Sequence, residues 1–132
     1  MARQPSERLV LVSEISKLQK IPETFLAKIF QRLSKAGVLR SSRGSKGGFS
    51  LGKPAGSITM REVIEAIDGP IALNRCLRRE GECEEDEICP IYHVWSKAQQ
   101  QLLEILDRTT VEDLVTEMIR NEKKRREEVR KR

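Results

Sequence analysis

The sequence predicts a mostly α-helical fold with a small β-hairpin, arranged as a winged helix-turn-helix followed by a long dimerisation helix. Three observations predict it: two short amphipathic segments separated only by Lys20 and Ile21, a basic glycine-rich turn between two apolar runs, and a long later segment with apolar residues every three or four positions. We expect a winged helix-turn-helix domain in residues 1–68 and a cysteine-rich loop in residues 69–92. The dimerisation helix and a basic tail are expected in residues 93–132.

The first two helices are indicated by their end signals and their apolar spacing. Ser13 is a suitable N-cap for a helix from Glu14 to about Gln19. The second helix follows Pro22 and is expected to end at Gly37. Its apolar stripe, expected to be core, consists of Phe25, Leu26, Ile29, Phe30 and Leu33. The other faces carry Thr24, Lys28, Gln31, Arg32 and Lys35. These residues are available for contact with DNA if the helix is the recognition helix of a helix-turn-helix, which lies in the major groove.

The segment after the second helix predicts a wing. Apolar residues at 38–39 and 49–51 flank the basic, glycine-rich tip SSRGSKGG. A hairpin in this position could bring Arg43 and Lys46 to phosphate groups or to a narrow minor groove. The alternative is that the glycines form only a turn and that Arg43 is a solvated side chain.

Three further helices are predicted. Ser57 or Thr59 caps the first of them, which ends at residues 69–70. The next starts at about Tyr92, and its apolar residues at helical spacing are Trp95, Ala98, Leu102, Ile105 and Leu106. This stripe predicts pairing with a second copy of the chain, with packing inside one chain as the alternative. The last helix begins at a capping box in residues 110–113 and is expected to fray in the run NEKKRREEVRKR.

Charge is distributed unevenly along a chain whose net charge is +5. Residues 1–60 contain eleven Lys and Arg against three Asp and Glu, residues 61–119 contain six against fourteen, and residues 120–132 contain eight against three. The positive first part predicts a polyanionic partner such as nucleic acid, with a merely solvated surface as the alternative. The sequence contains neither an apolar run of membrane-spanning length nor a signal-peptide pattern, so we expect a cytoplasmic protein without a membrane partner.

Catalytic patterns are not found in the sequence. The glycine-rich stretch does not match the G-x-x-x-x-G-K-[ST] pattern of a phosphate-binding loop. A single histidine and no serine elbow leave no arrangement for nucleophilic catalysis. We therefore expect that the protein is not an enzyme.

The three cysteines, Cys76, Cys83 and Cys89, are separated by six and then five residues, and His93 follows four residues after the last of them. This spacing lacks the tight Cys-x2-4-Cys pair of structural zinc sites, whereas thiolates at wider gaps can hold an iron-sulfur cluster. Their odd number in a reducing compartment argues against a disulfide framework. Free buried cysteines, a zinc site and a thiol that senses oxidation without metal remain alternatives.

Together these features resemble the bacterial winged-helix regulators of the IscR/NsrR type, the iron-sulfur members of the Rrf family. The resemblance covers about residues 9–115 and rests on the blocks VSEISKLQKIPETFLAKIFQRLSKAGVLRSSRGSKGGFSL, ITMREVIEAIDGPIALNRC and CPIYHVW, with Cys83 between the last two. It implies that the three cysteines ligate a 2Fe-2S or 4Fe-4S cluster and that DNA faces Thr24, Phe25, Lys28 and Arg43. With the residues considered above, the candidate DNA-binding set is Thr24, Phe25, Lys28, Gln31, Arg32, Arg43, Ser45 and Lys46.

The resemblance further implies a homodimeric transcription regulator whose cluster state sets its affinity for a double-stranded operator with an imperfect palindrome. The rival interpretations are a zinc-stabilised or thiol-redox DNA-binding regulator and a basic helical module that binds an acidic protein.

Two departures from the family pattern affect these expectations. Relatives that use a histidine after the third cysteine have it three residues on, where this chain has Tyr92; His93 is rotated by about 100° on a helix, so ligation and a buried or solvated imidazole both stay open. Relatives usually begin with a further helix that would end near residues 2–5. We therefore consider Met1 a candidate misplaced start and expect a chain extended upstream to melt at a higher temperature.

Overall fold

A computed structural model describes residues 1–5, 8–78 and 88–132. Within these ranges the elements, in chain order, are α1 (Val12–Gln19), α2 (Glu23–Lys35), β1 (Leu39–Ser42), β2 (Gly48–Leu51), α3 (Met60–Asp68), α4 (Pro90–Arg108) and α5 (Val111–Lys131). Two short 3-10 turns cover Ala55–Ser57 and Arg75–Leu77. The expected fold class, mostly helical with one small hairpin, is confirmed.

A three-residue turn, residues 20–22, connects α1 to α2 in the helix-turn-helix. Lys20 adopts a left-handed conformation with φ of 55°, and the Ser16 hydroxyl donates a hydrogen bond of 2.6 Å to the Ile21 carbonyl oxygen. The helix α1 begins at Val12, not at Glu14 as predicted. The reason is that the Glu14 carboxylate accepts from the Leu11 amide at 3.2 Å and so satisfies the helix start in place of the expected Ser13 cap.

The wing is a two-stranded antiparallel hairpin in which residue 39 pairs with residue 51 and residue 42 with residue 48. The chain before α1 adds a single bridge, because the amides of Val10 and Phe49 each donate to the other's carbonyl oxygen at 2.8 Å. A side chain at Gly47 would collide with the carbonyl oxygen of Ser42, so the tip requires glycine there. The bridge ties the hairpin to the start of α1.

The core lies between α2, the hairpin and the start of α3. Its buried members are Leu26, Phe30, Leu33, Val38, Leu39 and Ile58. Phe30 meets Phe49 edge to face, with ring centroids 5.0 Å apart, a geometry that aromatic quadrupoles favour. Ile58 is fully buried although it belongs to no regular element, so the segment between the wing and α3 is part of the core.

The C-terminal helices join this core through backbone hydrogen bonds. Met60 donates to the carbonyl oxygen of Thr109 at 2.8 Å, and Val111 donates to that of Ile58 at 2.9 Å. Next to these two hydrogen bonds, the guanidinium of Arg61 in α3 forms an ion pair with the carboxylate of Asp107 in α4 at 3.0 Å. Hydrogen bonds to Asp107, and then to Glu65, raise the pKa of Arg61 above its ordinary value. The junction between α4 and α5 is therefore held on α3.

The ends of the later helices partly match the predictions. Thr59, and not Ser57, caps α3 by accepting from the Glu62 amide at 3.1 Å, and the capping box at the start of α5 is confirmed. The expected fraying of the basic tail is wrong, because α5 continues to Lys131. Opposite charges four residues apart, such as Lys124 and Glu128, favour helix there. In the described part of the chain, no helix is both long and apolar enough to cross a membrane.

Candidate functional site

The helix α2 has one buried face and one exposed face. Leu26, Phe30 and Leu33 are buried. The candidate DNA-binding residues of this helix, all exposed, are Thr24, Phe25, Lys28, Gln31 and Arg32. The helix is thus fixed to the core along one side and presents the predicted polar residues on the other.

Phe25 is the residue for which the core prediction is wrong. Its side chain is 59% exposed, whereas Leu26 beside it is 5% exposed. The physical reason is the helical rotation of about 100° per residue, which carries Phe25 off the line that Leu26, Phe30 and Leu33 share. A large apolar side chain is therefore available on the outer surface of the first turn of α2.

Arg32 has a structural partner that the sequence did not predict. Its guanidinium Nη1 donates a hydrogen bond of 2.6 Å to the carbonyl oxygen of Ile67, in the last turn of α3. This contact joins α2 to α3 across 35 residues of sequence. Contact between Arg32 and DNA stays a prediction, and the guanidinium already has this intramolecular role.

The wing tip carries the three predicted residues Arg43, Ser45 and Lys46, all exposed. The turn is closed by a 3.0 Å hydrogen bond from the Gly47 amide to the carbonyl oxygen of Gly44, whose φ is 109°. Among the ion pairs of the described residues, neither Arg43 nor Lys46 has a carboxylate partner. The wing therefore offers positive charge to a polyanion.

A notch of about 530 Å³ separates the wing from the starts of α1 and α2. Residues 11–13, residues 41–45 and Glu23 are among those that line it. Glu23 is not among the residues that the sequence predicts to bind DNA, because the helix dipole alone explains an acidic residue in the first turn of a helix. Among the described residues that line the notch, Arg43 is the one basic residue, and its proximity to Glu23 could not be predicted from sequence spacing.

The two described cysteines lie on either side of the segment that carries the third. Cys76 lies in the 3-10 turn after α3, and Cys89 immediately precedes α4. Both thiols are free and half-buried. Cys83 lies outside the described residues. Free thiols flanking the acidic segment fit the soft thiolate donor set that iron-sulfur clusters require.

The segment with Cys76 is attached to α4. The amide of Leu73 donates to the side-chain oxygen of Gln99 at 3.0 Å, and the amide of Ile71 donates to Glu65 at 3.4 Å. His93 is exposed in the first turns of α4, where its ring meets Tyr92 edge to face at 5.8 Å. Considering only the residues with described positions, no three His, Cys, Asp or Glu side chains converge on one point. Ligation by His93 and by the cysteine triad stays a prediction.

The helix α4 has apolar residues on two faces. One face is half-buried and includes Leu102 and Leu106 of the predicted stripe, whereas Trp95, Ala98 and Ile105 of that stripe are exposed. The other is exposed: Ile91 is 52%, Val94 58% and Ile105 63% accessible. These three residues follow the three- and four-residue spacing of a helix-pairing stripe, with the small Ala98 between them. A single chain therefore leaves this stripe in solvent.

The comparisons with known proteins agree with this architecture. Residues 1–117 match the sequence model of a family described as Rrf2, iron-dependent transcriptional regulator. A provisionally assigned HTH-type transcriptional regulator of Aquifex aeolicus is 40% identical over 83% of this chain and 77% of its own length. The HTH-type transcriptional regulator IscR of Klebsiella pneumoniae is 37% identical over 80% of this chain, which spans 64% of that relative.

Solved structures show the same fold. The structure of CymR, described as the global cysteine regulator of B. subtilis, aligns with a TM-score of 0.70 at 27% identity and covers 87% of this chain and 84% of CymR. The structure of T. potens IscR aligns with a TM-score of 0.70 at 24% identity and covers 89% of this chain and 76% of that one. The described elements thus have the arrangement found in known winged-helix regulators.

Proposed function

This chain belongs to the Rrf2 family of iron-dependent transcriptional regulators, and we propose that it is a homodimeric, cytoplasmic DNA-binding protein whose operator affinity is set by an iron-sulfur cluster on Cys76, Cys83 and Cys89. The family is one of regulators and not of enzymes. The observation that carries the DNA-binding part is the outer surface of α2, where a large exposed side chain, Phe25, lies beside polar Thr24 and basic Lys28.

The recognition helix reads bases from its first turns. Phe25 supplies an apolar surface for the methyl group of a thymine, and the Thr24 hydroxyl can donate to or accept from a base edge. Lys28 and Gln31 lie one and two turns further along the exposed surface. Base contacts from these residues would carry sequence preference, because contacts to phosphate position a protein without reading sequence.

The wing binds the sugar-phosphate backbone. Arg43 and Lys46 contribute charge, and Ser45 contributes a hydroxyl donor. Each phosphate contact changes the slope of log affinity against log salt by about −0.9, so one wing cation used in both protomers changes it by about −1.8. Replacing Arg43 by alanine should weaken binding to all sequences and reduce the slope by that amount, while Lys97→Ala on α4 serves as the matched control.

The dimer forms along α4. Burying the exposed stripe of Ile91, Val94 and Ile105 against a second copy would remove apolar area that one chain leaves in water. Symmetric pairing presents two recognition helices, and these enter successive major grooves about 34 Å apart. The operator is accordingly an imperfect palindrome.

The cysteines and the two recognition heads are connected through α4. Cys89 immediately precedes this helix, and the segment leading to Cys76 is fastened to it by Gln99. When bound, an iron-sulfur cluster supplies a group whose redox state or loss responds to iron supply, oxidants or nitric oxide. The chain's own part is to hold α4 and the preceding segment in one arrangement when the thiolates are ligated and to release it when they are not. His93 is a candidate fourth ligand.

The decisive experiment measures the iron and sulfide content of the protein together with its affinity for operator DNA. Protein purified without oxygen is expected to absorb visible light, to contain matched iron and sulfide, and to lose both in Cys83→Ala. The operator affinity of wild-type protein should then differ between iron-loaded and metal-free forms, while that of Cys83→Ala should not. Colourless protein that contains zinc would favour a zinc-stabilised regulator over a cluster-binding one. Colourless protein that responds to thiol oxidation without metal would favour a thiol-redox regulator. Binding that depends on salt but not on sequence would favour a basic interaction module instead.

A further inference from the structure

The notch between the wing and the recognition helix has one acidic side chain among its lining residues. Glu23 is the first residue of α2 and is exposed, and the notch also includes Arg43 of the wing. In the described residues Glu23 takes part in no ion pair or side-chain hydrogen bond. A carboxylate is thus presented where the neighbouring side chains are positive or neutral.

The chemistry of DNA restricts what this carboxylate can contact. An ionised carboxylate only accepts hydrogen bonds, so phosphate oxygens and the acceptors of guanine and thymine repel it. The major groove offers two donors, the N4 amino group of cytosine and the N6 amino group of adenine. Adenine presents its N7 acceptor beside the donor, whereas cytosine presents the donor without an adjacent acceptor. Cytosine is therefore the base that suits a carboxylate best.

The location of Glu23 also fits base readout. In helix-turn-helix proteins the N-terminal residues of the recognition helix contact base edges. Glu23 precedes Thr24 and Phe25 directly, while Arg43 across the notch can neutralise the adjacent phosphate. We propose that Glu23 is a specificity-determining residue that accepts a hydrogen bond from the N4 amino group of one cytosine in each operator half-site.

This inference rests on the proposed DNA-binding function and adds a base identity to it. A role limited to the helix dipole predicts something different: loss of the charge would change thermal stability slightly and affinity for all sequences equally. Base readout predicts a change at one base pair only. Glu23→Gln separates the two, because glutamine has the same length but pairs with the N6 and N7 atoms of adenine.

The experiment selects binding sites from a random DNA pool with the wild type, Glu23→Gln and Glu23→Ala, followed by affinity measurements on single-base variants of the selected operator. Wild type should prefer cytosine at one position per half-site by about tenfold to a hundredfold. Glu23→Gln should shift the preference there to adenine, and Glu23→Ala should abolish it. Glu104→Gln, the same change on an exposed residue of α4, should leave all preferences unaltered.

Two outcomes would overturn the assignment, and they can be told apart. Selected operators that are identical for wild type, Glu23→Gln and Glu23→Ala would remove Glu23 from base readout while leaving the regulator function intact. Failure of the wild type itself to enrich any sequence would contradict both base readout by Glu23 and the proposed sequence-specific DNA binding. Equal melting temperatures of the variants and the wild type exclude misfolding as the cause.

Discussion

The winged-helix part and the C-terminal helix pair differ in how each buries its apolar residues. In the described chain all residues classed as buried lie at or before residue 58, and they are Val10, Leu26, Phe30, Leu33, Val38, Leu39 and Ile58. The helices α4 and α5 contain none, although they carry exposed residues such as Val94, Ile105 and Met118. The first part contains every buried residue of the described chain, whereas the second leaves large apolar side chains in solvent.

Under the proposed function, the two parts would have different tasks. A region with its own core can hold the recognition helix and the wing in fixed positions, which base readout requires. In the proposed dimer, the two helices would pair through their solvent-exposed apolar surface, and their arrangement would respond to the cluster proposed at the preceding cysteines. Variants that act on one part and spare the other test this division.

The largest effect is expected in the core of the winged helix. Phe30→Ala removes a buried ring packed against Phe49 and should lower the free energy of unfolding by about 3–5 kcal/mol in denaturant titrations. Phe25→Ala is the matched control, because its ring is exposed on the same helix. It should unfold like wild type and lose operator affinity. Similar unfolding free energies for the two variants would contradict the assignment of the two faces.

The next effect is expected at the α4 stripe. Ile105→Ser should weaken dimerisation by about 3 kcal/mol for the two protomers together, a change of roughly a hundredfold in the dimer dissociation constant. Sedimentation equilibrium measures it. Gln100→Ser on the opposite side of the same helix should leave the dimer intact. Equal effects of the two substitutions would show that pairing does not use this stripe.

A smaller effect is expected where α2 joins α3. Arg32→Gln removes the charged donor to the Ile67 carbonyl oxygen and should lower the free energy of unfolding by about 1 kcal/mol. Lys35→Gln, on the last turn of the same helix, is the control and should have little effect. If Arg32→Gln leaves stability unchanged but lowers the salt dependence of DNA binding, Arg32 acts at phosphate and not as a clamp.

The smallest effect concerns the cap between α4 and α5. Hydrogen bonds from the backbone amide and then the hydroxyl of Thr110 hold the pKa of Asp113 below its ordinary 3.8. A lowered pKa in the folded state stabilises the fold above pH 3.8, and this contribution is lost as the pH falls through the folded-state pKa. In metal-free protein, Asp113→Asn should therefore melt slightly below wild type at pH 7, and the gap in melting temperature should narrow as the pH falls below 3.8. A constant gap would exclude the carboxylate as its cause.

Much of the candidate DNA-binding surface could be predicted from local spacing. The helix-turn-helix, the hairpin and the exposure of Thr24 and Lys28 follow from helical periodicity and turn chemistry, which depend on residues close in the chain. The sequence places Phe25 in the core, which is wrong, because spacing does not show whether an apolar residue at the edge of a helical stripe is buried or exposed. The partner of Arg32 and the notch around Glu23 involve residues that are remote in sequence, so local spacing could not predict them.

The order and most of the ends of the helices, the glycine tip of the wing and the separation of basic from acidic segments can all be deduced from the sequence without the fold. These depend on backbone preferences and on charge, which adjacent residues set. Three features follow only from the tertiary fold: Ile58 is the most buried of the described residues, α3 holds the junction of α4 and α5, and Glu23 lines the notch beside the wing. Each of these depends on which distant surfaces meet, because packing and solvent exclusion act across the whole fold.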